Sequence, residues 1–180
     1  MPSRTSAWGT DAGRRGTSQD GQHPLSEQLR AESRSRAAAP VLFALLEDGS
    51  RWQDWAGLFV PRSRWQEPGD PVGSVGAVRR LGIGPLISLE RVVEHVPDRR
   101  IAYVVDSWAP YRDYRAEVDL LPDDAGGTQV VWQARFTPRV PGSGPLLRAG
   151  LQRIVAGFAR NLARAADRAV DPAGSRSSEQ

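Results

Sequence analysis

The 180-residue sequence has no cysteine, which excludes disulfides, thiolate nucleophiles and zinc–thiolate sites. Lysine is missing as well: all 24 basic residues are arginine, so neither Schiff-base chemistry on lysine nor a P-loop lysine is available. Histidine occurs only as His23 and His95, too few for a histidine-rich metal site. No Gly-x-Ser-x-Gly elbow occurs, and Gly73-Ser74-Val75-Gly76 and Gly82-Ile83-Gly84 lack the strand-then-helix setting of a dinucleotide fingerprint. No metal or nucleotide cofactor is therefore expected. No run approaches the roughly 18 apolar residues of a membrane span, so integral membrane association is not expected. Met1–Gln22 lacks the apolar core of a secretory signal, which makes the cytoplasm the expected location.

With 39% apolar and 25% charged residues, the chain can fold as one soluble domain with a real core. Residues 1–24 are rich in Ser, Thr, Gly, Arg and Asp and read as a disordered tail, as do residues 171–180. The domain is expected over residues 25–170. An isoelectric point near 10 suggests a nucleic-acid partner, yet the net charge is only +3. Five arginines against Asp167 between Pro145 and Val170 account for more than that excess. No aromatic residue interleaves them, so a solvated helix face is the plainer reading and nucleic acid is not an expected partner.

Leu147, Leu151, Ile154, Phe158, Leu162, Ala165 and Ala169 recur at helical spacing and predict one long amphipathic helix over Pro145–Val170. Arg153, Arg160 and Arg164 fall on its opposite side. Gly150 and Gly157 flank the stripe and imply either close approach to a sheet or room for a ligand. Upstream, Leu25–Arg36 is read as a first strand. Pro40 then starts a short helix that ends at Asp48-Gly49, and Ser50 is placed to cap a second, Arg51–Trp55. Period-two segments follow at Leu58–Gln66, Ser74–Leu81, Leu86–Val96, Arg100–Trp108, Arg112–Leu121 and Thr128–Pro138, joined by short Pro/Gly/Asp turns. Short connections argue for an antiparallel meander. Leu86–Val96 is ambiguous in parity; the set Ile87, Leu89, Arg91, Val93 and His95 is read as inward.

The order strand, two short helices, antiparallel meander and long C-terminal helix resembles the helix-grip fold of the SRPBCC superfamily. The fold class is then α+β, a curved six- to seven-stranded sheet wrapped around the last helix. Residues carrying the resemblance are Ala38-Ala39-Pro40, Arg51-Trp52-Gln53-Asp54-Trp55, Gly76-Ala77-Val78-Arg79-Arg80 and Glu90-Arg91-Val92-Val93-Glu94. Pro97-Asp98-Arg99-Arg100-Ile101-Ala102-Tyr103 and Gly127-Thr128-Gln129-Val130-Val131-Trp132 complete the set. They are most similar to the polyketide cyclase/dehydrase branch, which also resembles START lipid-transfer domains and the birch-pollen allergen.

The resemblance implies an apolar pocket between sheet and helix, with the short helices at its mouth, and a hydrophobic small molecule such as a lipid or polyketide as partner. Trp65, Arg79, His95, Tyr103, Tyr114, Trp132 and Phe158 are the inward candidates for lining it, with Trp52, Trp55 and Trp108 near an entrance. Each aromatic can equally be plain core. Arg79 and His95 are the candidate catalytic groups. An inward arginine must be paired or face a ligand, because its charge is costly to bury alone; a salt bridge to Glu90 or Glu94 is its structural alternative. Three functions stay open: binding of a hydrophobic molecule, a cyclase or dehydratase reaction, and partner binding through the arginine face of the last helix. The oligomeric state is left open.

Overall fold

A computed structural model describes residues 26–84 and 86–171. The elements are β1 (Glu27–Ser35), α1 (Ala39–Glu47), a 3-10 turn (Trp52–Asp54), β2 (Ser63–Glu67), β3 (Val78–Ile83) and β4 (Leu86–Val96). They continue with β5 (Arg100–Val105), β6 (Tyr111–Pro122), β7 (Thr128–Pro138) and α2 (Gly144–Val170). The expected tails lie outside the described residues, Asp171 excepted.

The strands form one seven-stranded antiparallel sheet in the order β1-β7-β6-β5-β4-β3-β2, curved around α2 in a helix grip. Alternation decides its faces. Ile101 and Tyr103, Ala116, Val118 and Leu120, and Val130, Trp132, Ala134 and Phe136 are buried on the concave side. On the convex side Arg100 and Arg115 pair with Glu94, Glu117 and Asp119.

Helix α2 runs beside β1 in the same direction. Arg148 Nε donates to the carbonyl of Gln28 at 3.2 Å, and Gln152 takes the amide and the carbonyl of Arg30 at 3.3 and 2.8 Å. Asp167 accepts from Ser35 Oγ at 2.7 Å and the Arg36 amide at 2.8 Å. These bonds occupy the free edge of β1, which would otherwise be a template for another strand. Val155, Phe158, Ala159, Leu162, Ala163 and Ala166 form the buried stripe of α2, whereas Leu147, Leu151 and Ile154 are only partly covered. The buried line is thus rotated from the expected one, and Ala169 is exposed. The alanines let the C-terminal half approach closely; the bulkier N-terminal half is less covered. Burying Val155, Phe158 and Leu162 stabilises the contact by about 1.5–3 kcal/mol each.

Several expectations are corrected. Strand β2 starts at Ser63, because Gly57 at φ 84° and Pro61 keep Leu58–Arg62 in turns. Strand β3 starts at Val78, because Gly73 and Gly76 at φ 83° and 95° keep residues 73–76 in turns, although Gly76 N and Ala77 O still bond to Val92. Strand β5 stops at Val105 and not at Trp108. The second short helix is a single 3-10 turn, and Ser50 does not cap it; its hydroxyl donates to Asp48. A Cβ on Gly150 or Gly157 would meet nothing within 4 Å, and at about 100° per residue both point to the arginine side. Neither glycine lets α2 approach the sheet or makes room beneath it. The inward parity of β4 is Glu90 and Val92 up to a bulge at Val93, and His95 after it, so Ile87, Leu89 and Arg91 of the expected set face out.

Antiparallel pairing sorts the connections into two ends. At the near end lie the β3–β4 and β5–β6 connections, the β7–α2 loop, the segment leading into β2, and the starts of β1 and α2. At the far end lie the β2–β3, β4–β5 and β6–β7 turns, and α1 closes it: Thr128 Oγ1 donates to Ala37 O at 2.8 Å, and Glu47 meets His95. The resemblance places the short helices at the pocket mouth; in the structure α1 sits at this far end.

Candidate functional site

The concave face carries one dense cluster of rings around an ion pair. Arg79 on β3 stands across from Glu90 on β4 in register, and both side chains are buried, 1% and 9% exposed. Arg79 Nε and Nη2 donate to the same oxygen, Glu90 Oε2, at 3.0 and 2.8 Å. Ser88 Oγ reaches Glu90 Oε1 at 3.3 Å. Among the described residues Arg79 Nη1 has no hydrogen-bond acceptor. The guanidinium carbon lies 3.6 Å from the ring centre of Trp52 and 4.4 Å from that of Tyr103. Two desolvated cation–π contacts and one carboxylate hold the charge where water cannot.

Trp52 is the hub. Its ring centre lies 4.7 Å from Trp55, 5.8 Å from Phe158, 6.0 Å from Trp132 and 6.4 Å from Tyr103. Its Nε1 donates to Leu46 O at 3.1 Å and that of Trp55 to Leu45 O at 3.2 Å. Both carbonyls belong to the last turn of α1, which lacks partners of its own, so the two indoles satisfy it. Tyr103 then leads to Tyr114 at 6.4 Å, and Tyr114 to Tyr111 at 5.3 Å. Tyr111 and Tyr114 face the same way although three residues apart, because β6 takes in one extra residue between Arg112 and Arg115, with Asp113 at φ 55°.

Electrostatics keep the phenols protonated. Burial pushes Tyr103 far up, the Glu90 carboxylate adds to it, and Arg79, Trp132 and Tyr114 oppose it. Burial also raises Tyr114 well above its ordinary value, and Tyr111 to about 12. Trp132 influences the Tyr103 phenol without closing a well-formed hydrogen bond: its Nε1 is buried with no partner.

Six of the ten residues singled out from sequence therefore converge: Trp52, Arg79, Tyr103, Tyr114, Trp132 and Phe158. Trp55 backs the cluster. Trp65 opposes Arg79 in register, but its ring lies over Gly49 and Gly73, where a Cβ on Gly49 would come within 2.7 Å of it. Trp108 is 81% exposed on the β5–β6 loop. His95 is not brought to Arg79. It lies five residues beyond Glu90, about 16 Å along the strand, bonded through Nε2 to Glu47 at 2.8 Å and edge-on to Phe43 at 5.2 Å. The pair with Glu90 is the salt bridge expected as the alternative for Arg79, although the parity favoured for β4 turns Glu90 outward; Tyr111 is a member of the cluster that the sequence reading does not include.

These rings pack together between the sheet and α2. Two clefts, of about 260 and 330 Å³, open on the convex side: one lined by Gln28, Arg115, Glu117, Gln133 and Arg135, the other by Arg62, Arg64, Arg80 and Gly82–Gly84. No three His, Cys, Asp or Glu side chains among the described residues are grouped to hold a metal ion. No described helix is long and apolar enough to cross a membrane.

The fold has many solved counterparts. An aromatase/cyclase, ZhuI, from Streptomyces sp. R1128 superposes with a TM-score of 0.71 at 21% identity, over 83% of this chain and 99% of its own. A START superfamily protein from Mycobacterium smegmatis gives 0.62 at 11% identity, over 81% and 97%. Norcoclaurine synthase from Thalictrum flavum gives 0.60 at 12%, over 79% and 94%. No curated protein matches the sequence. Residues 26–167 match the family described as polyketide cyclase / dehydrase and lipid transport, and the chain belongs to that family.

Proposed function

We propose that this protein binds a hydrophobic small molecule, lipid or polyketide-like, that carries a hydrogen-bond-accepting oxygen, between the concave sheet and α2. The observation that carries the reading is a buried donor without a partner inside an apolar cluster. Trp132 Nε1 is buried without an acceptor, beside the cation of Arg79 and its single carboxylate. A buried donor left unpaired costs about 1–3 kcal/mol. A ligand carbonyl, carboxylate or phenolic oxygen would remove that cost, while its apolar body would lie among Trp52, Tyr103 and Phe158. Because the rings pack together there, binding requires Phe158 and the less covered N-terminal half of α2 to move aside.

Binding is favoured over a cyclase or dehydratase reaction because the cluster offers acids and no free base. The phenols are held protonated, Glu90 is engaged by Arg79, and His95 is remote. The exposed arginines of α2 make no contact with the cluster and add nothing to this reading.

The test is delipidation followed by native mass spectrometry and displacement of a fluorescent fatty acid, with a planar polyphenol as second competitor. Saturable displacement that weakens at least about tenfold in Trp132→Phe, which removes the N–H and keeps an aromatic ring, is expected. Absence of any bound species and of any displacement would remove the proposal.

A further inference from the structure

We propose that the near end of the molecule docks on an anionic lipid bilayer. The proposal rests on the surface alone and stands or falls independently of the interior ligand binding proposed above. Leu58 and Phe59 before β2, Ile83 at the β3–β4 turn, Trp108 between β5 and β6, and Val140 and Leu146 around the start of α2 are 97%, 57%, 53%, 81%, 61% and 79% exposed. They come from four separate connections, yet the strand pairing brings all of them to one end. Large apolar side chains on one rim of a soluble fold mark an interaction surface. The exposed apolar residues of the far end are four valines and Leu121, with no aromatic among them.

Charge separates the two ends in the same sense. The far-end turns carry Asp70, Asp98, Asp123 and Asp124 against Arg99, with Arg34 4.0 Å from Asp123. At the near end the carboxylates of Asp106, Asp113 and Glu27 are each matched by an arginine, Arg91, Arg112 and Arg148. Arg62, Arg64 and Arg80 are left over: they line one cleft of about 330 Å³ beside Gly82, Ile83 and Gly84, and none has a carboxylate partner among the described residues. A cleft with three unmatched guanidinium groups next to exposed Ile83 fits a phosphate-bearing headgroup whose acyl region begins where the apolar rim does. Apolar insertion and attraction to anionic lipid reinforce each other at a bilayer surface, and Trp108 is the residue type that settles at that interface. A soluble polyanion would use the arginines and leave the rim unexplained.

Co-sedimentation of the full chain with vesicles of phosphatidylcholine, alone or mixed with phosphatidylglycerol, tests this. Partitioning onto the mixed vesicles, weak onto phosphatidylcholine and reduced by salt, is expected. Arg62→Glu/Arg64→Glu/Arg80→Glu should lower the partition coefficient at least about tenfold, since each arginine near such a surface is worth about fivefold. Leu58→Ser/Trp108→Ser should weaken it by a similar factor, and Arg153→Glu/Arg160→Glu/Arg164→Glu should leave it unchanged. All of these positions are exposed or half-exposed, and circular dichroism checks that the variants fold. No partitioning at low salt overturns the proposal. So does loss of binding in the α2 variant alone, or binding to heparin that matches the vesicles and ignores Leu58→Ser/Trp108→Ser.

Discussion

Replacing Arg79 by methionine tests whether the buried ion pair is a source of stability or a burden retained for another purpose. The substitution keeps a long flexible side chain and removes the charge. It leaves the Glu90 carboxylate 9% exposed with only the Ser88 hydroxyl, at 3.3 Å, as a side-chain donor. It also removes the cation from over Trp52 and Tyr103, at 3.6 and 4.4 Å. Breaking a buried pair in this way costs about 3–5 kcal/mol. For a domain of this size a change of 1 kcal/mol moves Tm by roughly 2–4 °C, so a fall of about 6–20 °C is expected. The companion variant Arg79→Met/Glu90→Leu removes both charges and leaves nothing to solvate; it should recover most of the loss or exceed the parent, because an ion pair and a hydrophobic replacement are often equal in such sites. Urea unfolding of the parent, both single variants and the double variant closes the cycle. An Arg79→Met cost below about 1 kcal/mol, or a double variant as unstable as the sum of the singles, would refute the reasoning. A stable double variant that no longer displaces a fluorescent fatty acid would assign the pair to the ligand.

Tyr103, Tyr111 and Tyr114 are the only tyrosines, and burial raises all three. Their folded values lie above the unfolded one of about 10, so the stability they contribute is complete below pH about 10 and is lost as pH rises through the folded values. Ultraviolet titration of tyrosinate should show little ionisation near pH 10 in the folded protein and full ionisation there in concentrated urea; a native step at the ordinary value would contradict the burial. His95→Gln should leave ligand affinity unchanged while loosening α1, seen as faster amide hydrogen exchange in residues 39–47, because His95 ties β4 to Glu47 and not to the cluster. A large loss of affinity in this variant would move the site to the far end. Gly49→Ala should cost about 1–3 kcal/mol and expose Trp65, because the new Cβ would lie 2.7 Å from the ring; unchanged stability and tryptophan emission would show that the ring has room to move.

Much of this fold is legible in the sequence because two periods carry it. Alternation in Tyr114–Leu120 and Val130–Phe136 assigns the concave face without ambiguity, and the spacing from Leu147 to Ala169 announces α2. What spacing does not show is which part of a wide apolar stripe touches the sheet. Ala159, Ala163 and Ala166 win that contact by being small, although a hydrophobicity count favours Leu147 and Ile154. Turn chemistry explains the shifted starts of β2 and β3: the glycines were visible, but their left-handed conformation, which keeps several residues in turns, was not.

The site was harder to read for a different reason. Strand β4 carries Glu90, Arg91, Glu94 and His95, so polar groups fall on both faces and alternation has no power to choose. A buried ion pair makes this worse, since Glu90 inside looks like any solvated glutamate until Arg79 is known to face it. The bulge at Val93 then puts Val92 and His95 on one face, and the extra residue at Asp113 does the same for Tyr111 and Tyr114. Asp at φ 55° has a local signal, because aspartate tolerates the left-handed region better than most residues; Val93 offers none. Both bulges flank the ring cluster, and both re-aim side chains that a regular strand would send to water. The residues hardest to assign from the sequence are therefore those on which the arrangement of the site depends. Deleting Asp113 should turn Tyr111 outward and leave the rest of the sheet in register.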